Sequence, residues 1–115
     1  MPRSLDHIAL VVRDPARSAQ LFAQVFDDAR VQSGEGDHDT LIWLGGVCLV
    51  LARGEPPATR NGDHIAFAVS KVEQLACAER LREAGIECLM ARGDSALYFD
   101  DYDNHVFELD VIEGG

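Results

Sequence analysis

The order of hydrophobic and polar residues along this chain predicts two helices, each preceded and followed by short strands. The apolar positions that recur three or four residues apart in the first helical stretch are Ala19, Phe22, Val25 and Phe26. This spacing predicts a helix that Asp14 caps, that has Pro15 at its first position and that ends near Asp27.

The second helical stretch has the same design. Ser70 is its predicted N-cap, and Gly85 stands just past its predicted end, where glycine is common. The apolar face predicted for this helix comprises Val72, Leu75, Ala76 and Leu81.

The remaining apolar runs are short and predict strands. They cover residues 29–33, 41–44 and 47–52 after the first helix, and residues 86–90, 96–99 and 105–111 after the second. Gly45-Gly46 predicts a hairpin turn, and Pro56 and Pro57 lie in a polar segment that is typical of a linker.

A repeated tetrapeptide divides the chain into two similar halves. Asp6-His7-Ile8-Ala9 recurs as Asp63-His64-Ile65-Ala66, 57 residues later. Each copy begins a predicted strand, and a predicted helix follows it, which indicates two copies of one supersecondary unit. We therefore predict an α+β fold in one domain, residues 1–115, with two tandem βαβββ modules at about 4–54 and 62–112 and a linker at about 55–61.

Each repeated histidine shares its strand face with small residues. Side chains alternate between the two faces of a strand, so His7 points to the same side as Ala9, whereas Ile8 and Leu10 point to the other. The second strand has the same alternation around His64. Both histidines are therefore predicted to face open space, and the bulky residues to face a helix.

A third candidate ligand lies in the last predicted strand. Glu108 alternates with Phe107 and Leu109, so it points away from the core face. A carboxylate between large apolar residues is costly to bury without a partner, and a metal ion would be such a partner. The position 57 residues earlier is Leu51, so the first half brings no equivalent carboxylate.

These three side chains form a ligand set of two imidazoles and one carboxylate. We predict that His7, His64 and Glu108 hold one divalent ion, and Mn²⁺, Fe²⁺, Co²⁺, Ni²⁺ and Zn²⁺ all suit such ligands. Positions would remain open for water or substrate oxygens. His38 and His105 have no repeat partner and are assigned to a loop and a turn.

Charge and composition exclude some classes of partner. Twenty acidic and ten basic side chains give a net charge of −10, which repels nucleic acid and anionic lipid. No apolar run approaches the roughly 18 residues of a membrane span, and no cationic segment precedes an apolar one at the N-terminus.

Cys48, Cys77 and Cys88 lie in apolar contexts without metal-ligand spacing, which predicts buried, reduced thiols. We therefore expect a soluble cytoplasmic protein whose partner is a small molecule.

Two segments carry a resemblance to a known superfamily. Asp63-His64-Ile65-Ala66-Phe67 and residues 98–109, Tyr-Phe-Asp-Asp-Tyr-Asp-Asn-His-Val-Phe-Glu-Leu, resemble the glyoxalase, bleomycin-resistance and extradiol-dioxygenase proteins, also called the vicinal-oxygen-chelate superfamily. The resemblance implies a curved mixed sheet that forms a metal cup. Within the superfamily the chain is most similar to fosfomycin-resistance proteins, particularly those that open the epoxide with water.

The resemblance also implies a metal and an assembly. The metal would be Mn²⁺ by preference, bound by His7, His64 and Glu108. The chain would form a homodimer in which His7 of one subunit completes the site of the other. A second chain also suits a protein of this size, which buries only about two-thirds of its unfolded surface.

Residue roles transfer unevenly from the family to this chain. Tyr98 matches the family's site tyrosine, and Asp39 falls near the glutamate that serves as general base, with Glu35 as another nearby carboxylate. The usual phosphonate-binding loop is replaced by residues 92–96, where Asp94 would repel a phosphonate. A threonine usual in the first strand is Ala9 here, and Arg92 and Ser95 are shifted from the family pattern.

The expected function is that of a divalent-metal-dependent enzyme that opens an epoxide, or acts on another small oxygen-rich substrate, with water or a thiol. One alternative is a non-catalytic drug-binding protein of the bleomycin-resistance type, although such proteins generally lack the metal ligands. Another is a glyoxalase-type isomerase or lyase, which needs a fourth ligand near Leu51.

Overall fold

The computed structural model describes residues 3–112 and separates the chain into two compact units, one up to Pro56 and one from Pro57 onward. The elements of the first unit are β1 (His7–Val12), α1 (Pro15–Val25), β2 (Arg30–Gln32), β3 (Thr40–Leu44) and β4 (Val47–Arg53). The elements of the second unit are β5 (His64–Val69), α2 (Lys71–Glu83), β6 (Leu89–Ala91), β7 (Ala96–Asp100) and β8 (Val106–Val111). The predicted α+β class and the order βαβββ in each half are therefore confirmed.

Each unit contains one four-stranded mixed sheet with the same topology. The strand order is β1-β4-β3-β2 in the first unit and β5-β8-β7-β6 in the second. The strand that begins each unit runs parallel to the last strand, and the other neighbours are antiparallel. The repeated histidine strand therefore lies at one edge of each sheet, beside the last strand of its unit.

The first unit forms its core between α1 and the inner face of its sheet. The Asp14 side chain accepts a hydrogen bond from the Arg17 N–H, and Pro15 occupies the first turn, as predicted. The helix buries Phe22 and Val25 and packs on β3 and β4. Burial of these side chains is the main source of stability for a helix of this length, which is marginal on its own.

The second helix has its predicted ends but only part of its predicted face. Ser70 accepts a hydrogen bond from the Glu73 N–H, and Gly85 has a φ of 80° just beyond the helix. However, Val72 is 80% exposed and Leu75 is 54% exposed, so the apolar face predicted for this helix is wrong at these positions. Leu81 is buried as predicted, and the other buried residues of the helix are Gln74 and Cys77.

A buried amide explains the orientation of this helix. Gln74 Nε2 donates to the carbonyls of Ser95 and Leu109, at 3.2 Å each. These bonds attach α2 to β8 and satisfy polar groups that are expensive to bury unpaired. Helical periodicity counts only apolar residues and therefore cannot identify a face that a glutamine anchors.

Other sequence expectations differ by small amounts. The strand predicted at 86–90 is β6 at Leu89–Ala91, and β8 begins at Val106 because His105 belongs to the preceding turn. All three cysteines are free, with Cys77 buried and the other two partly buried. No helix in residues 3–112 is long and apolar enough to cross a membrane.

Candidate metal centre

The histidines of β1 and β5 lie on the exposed faces of their strands, as the alternation predicts. In β5, His64, Ala66 and Ala68 are exposed, whereas Val69 is buried and the other residues are partly buried. In β1, His7 and its same-face neighbours are likewise exposed. Each imidazole therefore points away from the core of its own unit.

Glu108 lies in the middle of β8, next to the histidine strand. Its register partners are Ala66 on β5 and Tyr98 on β7. Glu108 is only 4% exposed, and its Oε1 lies 3.3 Å from Nε2 of His64. The second unit thus brings together two of the three predicted ligands.

The hydrogen bond made by the other nitrogen of His64 determines what its Nε2 can do. Nδ1 lies 3.0 Å from the Gly62 carbonyl, which can only accept, so Nδ1 carries a proton. In the neutral ring, Nε2 then presents a lone pair toward the Glu108 carboxylate. Two acceptors at this distance require a proton or a metal ion between them, and a metal ion fits this donor set.

In the first unit, Nδ1 of His7 also has a hydrogen-bond partner, but that partner is a carboxylate. Its Nδ1 lies 2.8 Å from Oδ1 of Asp6, the residue that begins the repeated tetrapeptide. A carboxylate partner on Nδ1 directs the free Nε2 toward a ligand position and makes it a better donor to a metal. In both halves, therefore, Nδ1 of the strand histidine is engaged by a neighbouring acceptor.

Arg92 forms an ion pair with the second oxygen of the buried Glu108 carboxylate. Its Nη2 contacts Oε2 of Glu108 and lies 3.3 Å from Oδ1 of Asp110, while Nη1 donates to the Tyr98 hydroxyl at 3.1 Å. Hydrogen bonds to Tyr98, Glu108 and Asp110, in that order, raise the pKa of the Arg92 guanidinium above its ordinary value. The guanidinium therefore remains charged beside the candidate ligands.

The loop that carries Arg92 has an unusual backbone. Arg92, Gly93 and Asp94 have successive φ values of 51°, 62° and 67°, in the left-handed region that favours glycine. Two of these residues have side chains, which costs roughly 1–2 kcal/mol for each. The Ser95 hydroxyl donates to the Arg92 carbonyl at 2.9 Å, and Lys71 Nζ donates to the Asp94 carbonyl at 2.8 Å, so neighbouring groups hold the loop in place.

Tyr98 lies against the same pair. Its ring meets that of His64 edge to face, with 5.8 Å between centroids. Its hydroxyl is engaged by Arg92 and lies on the strand face that also carries Glu108. The predicted site tyrosine is therefore adjacent to both predicted ligands of this unit.

The proposed general base lies in the first unit, in the loop before β3. Asp39 is exposed, as is Glu35, and both border an open cleft of about 590 Å³ together with His38. Trp43 is partly exposed, and the Arg30 guanidinium lies over its ring at 5.3 Å. Both carboxylates are exposed to solvent.

Strand pairing places the first-half equivalent of Glu108 one residue away from the position that the 57-residue offset predicts. Ala66 pairs with Glu108, and the equivalent Ala9 pairs with Val50. Leu51, which the 57-residue offset indicated, is fully buried on the core face. The position equivalent to Glu108 is therefore Val50, which also has no carboxylate.

Within neither unit do the described residues bring three or more His, Cys, Asp or Glu side chains together around a possible metal position. His64 and Glu108 form a pair, and His7 lies in the other unit.

Sequence reasoning missed several residues around the candidate centre. Arg92 was noted only as a displaced basic residue, and the roles of Asp110, Gln74 and Lys71 were not foreseen. One signal was available for Asp110, because it lies two residues after Glu108 and shares its strand face.

Comparison with known proteins supports the superfamily that the sequence motifs predict. The family model described as Glyoxalase/Bleomycin resistance protein/Dioxygenase superfamily matches residues 4–109. The fosfomycin resistance protein FosX of Listeria innocua is 30% identical, over 95% of this chain and 90% of that protein.

Two solved structures are similar over nearly the whole chain. FosX from Mesorhizobium loti has a TM-score of 0.82 at 30% identity, with 96% of this chain and 92% of that chain covered. A mutant of FosX from Listeria monocytogenes, solved with Mn(II) and 1S,2S-dihydroxypropylphosphonic acid, has a TM-score of 0.83 at 28% identity, with 96% and 90% covered.

Proposed function

Because the chain belongs to the Glyoxalase/Bleomycin resistance protein/Dioxygenase superfamily, we propose that it is a divalent-metal-dependent enzyme of the fosfomycin-resistance type, which opens an epoxide by adding water. The observation that carries the proposal is the contact between His64 Nε2 and the buried Glu108 carboxylate, with Nδ1 of the same ring fixed by a carbonyl. This arrangement supports a metal-binding role for the pair, and it favours an enzyme over a non-catalytic binding protein of the bleomycin-resistance type.

The proposed ligands are His7, His64 and Glu108, and the proposed metal is Mn²⁺. The second and third lie together in one unit, and the equivalent position and matching Nδ1 bond of His7 support it as the remaining ligand. A relative of similar structure was solved with Mn(II), which supports the choice of metal. When bound, the metal would stabilise negative charge on the epoxide oxygen as a Lewis acid.

Two further side chains are proposed to handle the substrate. The Tyr98 hydroxyl, beside His64 and Glu108, would hydrogen-bond a substrate oxygen. Asp39 would accept a proton from the attacking water, with Glu35 as the other carboxylate of that loop. Because Asp94 lies in the loop that differs from the family pattern and would repel a phosphonate, fosfomycin is proposed to be a weaker substrate than a small epoxide without that anionic group.

We further propose a cytoplasmic homodimer in which His7 of one chain serves the site of the other. Three free cysteines are typical of a reducing compartment. A shared site would also explain why His7 and the pair His64 and Glu108 are placed on different units of one chain.

The proposal is tested by titrating Mn²⁺ into metal-free protein by calorimetry and following fosfomycin opening by phosphorus NMR. We expect one Mn²⁺ per chain and ring opening that His64→Ala abolishes. His38→Ala, which replaces an exposed histidine, should keep the metal stoichiometry. Metal binding without any effect on fosfomycin would direct the search to other epoxides, whereas no metal binding would contradict the proposed function.

A further inference from the structure

We propose that Arg92 is a competitor of the metal: its guanidinium neutralises Glu108 in the metal-free protein, and metal binding transfers it from Glu108 to Asp110. This inference rests on the proposed metal site, and it assigns Arg92 the role of setting the metal affinity. The existing contacts already contain both partners of the exchange, since one nitrogen, Nη2, approaches both carboxylates.

The burial of Glu108 makes a positively charged partner necessary in the metal-free protein. Its side chain is only 5% exposed, so an unpaired negative charge there would be costly. His64 contacts one carboxylate oxygen and Arg92 contacts the other. A divalent ion that binds this carboxylate would meet the positive charge of Arg92 on its other oxygen, and that repulsion lowers the affinity for the ion.

Asp110 offers the displaced guanidinium a second partner. It lies two residues beyond Glu108 on the same face of β8, and its side chain is 43% exposed. The Tyr98 hydroxyl holds the other guanidinium nitrogen. Arg92 can therefore leave Glu108 without losing all its hydrogen bonds or entering an apolar region.

The loop backbone is held so that only the side chain needs to move. Lys71 donates to the Asp94 carbonyl, Gln74 donates to the Ser95 carbonyl, and the Ser95 hydroxyl donates to the Arg92 carbonyl. These bonds keep Arg92 at a left-handed φ directly beside the carboxylates. The backbone that carries Arg92 is thus held by the fold, and this places the guanidinium next to Glu108.

The test compares Mn²⁺ affinities of the wild type, Arg92→Asn and Arg82→Asn by calorimetry. Asparagine tolerates a left-handed φ, so the first variant removes the charge with little added strain. Arg82→Asn makes the same change of charge, but at an exposed residue that pairs with Glu79 away from the candidate centre. We expect Arg92→Asn to bind Mn²⁺ at least about tenfold more tightly, because a close like charge is removed, and Arg82→Asn to stay within about twofold of the wild type.

Two further readouts separate competition from a general change of charge. Thermal melting should show a larger Mn²⁺-induced rise in Tm for Arg92→Asn than for the wild type. Asp110→Asn should weaken Mn²⁺ binding in the wild type, because it removes the second partner of Arg92, and should have a smaller effect in the Arg92→Asn background. Arg92→Lys, which keeps the charge but cannot span both carboxylates and Tyr98, should give an intermediate affinity and serves if the asparagine variant does not fold.

The outcomes distinguish this inference from the proposed function. Unchanged or weaker Mn²⁺ binding by Arg92→Asn, together with normal binding by the wild type, would overturn the competition and leave the metal site standing. Absence of Mn²⁺ binding in both proteins would overturn the metal site and, with it, the competition. An equal effect of Asp110→Asn in both backgrounds would show that Asp110 does not act through Arg92.

Discussion

The turn between β7 and β8 is organised by one buried carboxylate. Asp101 accepts hydrogen bonds from the backbone N–H groups of Asp103 and His105, and its other oxygen lies 2.8 Å from His105 Nδ1. That last hydrogen bond, aided by the charges of Asp101 and Asp103, raises the pKa of His105. This turn leads directly into the strand that carries Glu108, so its stability matters for the candidate centre.

The raised pKa of His105 predicts a pH dependence of stability. Because the folded-state pKa exceeds the unfolded value of about 6.5, protonated His105 stabilises the fold fully below that pH. This contribution is lost as the pH rises through the folded pKa. The free energy of unfolding in urea, measured from pH 5 to 9, should therefore decline for the wild type relative to His105→Gln.

Matched variants isolate this effect from other titrations. His38→Gln replaces an exposed histidine and should follow the wild-type curve. Parallel curves for the wild type and His105→Gln would show that the hydrogen bond to Asp101 does not contribute through the charged imidazole.

At the scale of elements, α2 shows how one polar contact can outweigh an apolar stripe. Gln74 reaches two carbonyls across the core, so the helix buries Cys77 and Leu81 and leaves Val72 and Leu75 outside. The same amide holds the loop after β6, since one of its acceptors is the Ser95 carbonyl. Gln74 therefore contributes both to the orientation of the helix and, together with Lys71 and Ser95, to the position of Arg92.

The observed helix face predicts unequal costs for two truncations. Leu81→Ala should lower the free energy of unfolding by about 2–5 kcal/mol, because it opens a cavity at a fully buried position. Val72→Ala should change it by less than about 0.5 kcal/mol, because Val72 is exposed. Urea titrations of both variants check this, and similar losses would favour the face that periodicity alone predicts.

At the scale of the whole molecule, the two halves share a topology but carry different chemistry. Each begins with a histidine strand paired to its last strand, yet only the second has a glutamate on that last strand, Glu108, where the first has Val50. The proposed set of three ligands therefore requires a contribution from both halves. In the proposed homodimer these halves come from different chains.

A subunit-mixing experiment tests that sharing. His7→Ala and Glu108→Gln are each expected to be inactive toward the epoxide. If they are mixed in denaturant and refolded together, half of the dimers are mixed, and each has one intact site, so roughly a quarter of wild-type activity should return.

A second mixture is the control. His64→Ala and Glu108→Gln damage the same half of the site, so their mixed dimers have no intact site and should remain inactive. Failure of the first mixture to regain activity, when the wild type refolds normally, would contradict a site shared between chains.

The sequence alone determined the features that depend on local periodicity and on the repeat. Alternation along β1 and β5 placed His7 and His64 away from the core, and the caps at Asp14 and Ser70 located both helices. Glu108 was identified because a carboxylate between Phe107 and Leu109 needs a partner. These inferences succeed because neighbouring residues set which face a side chain takes.

Only the tertiary structure decided the contacts between distant residues. Arg92 reaches Glu108, 16 residues away, because three left-handed residues turn the loop and α2 holds it. Val50, not Leu51, corresponds to Glu108, because strand register is set by pairing rather than by a constant offset. Local pattern thus selected the candidate ligands, whereas loop conformation and sheet register decided which charges surround them.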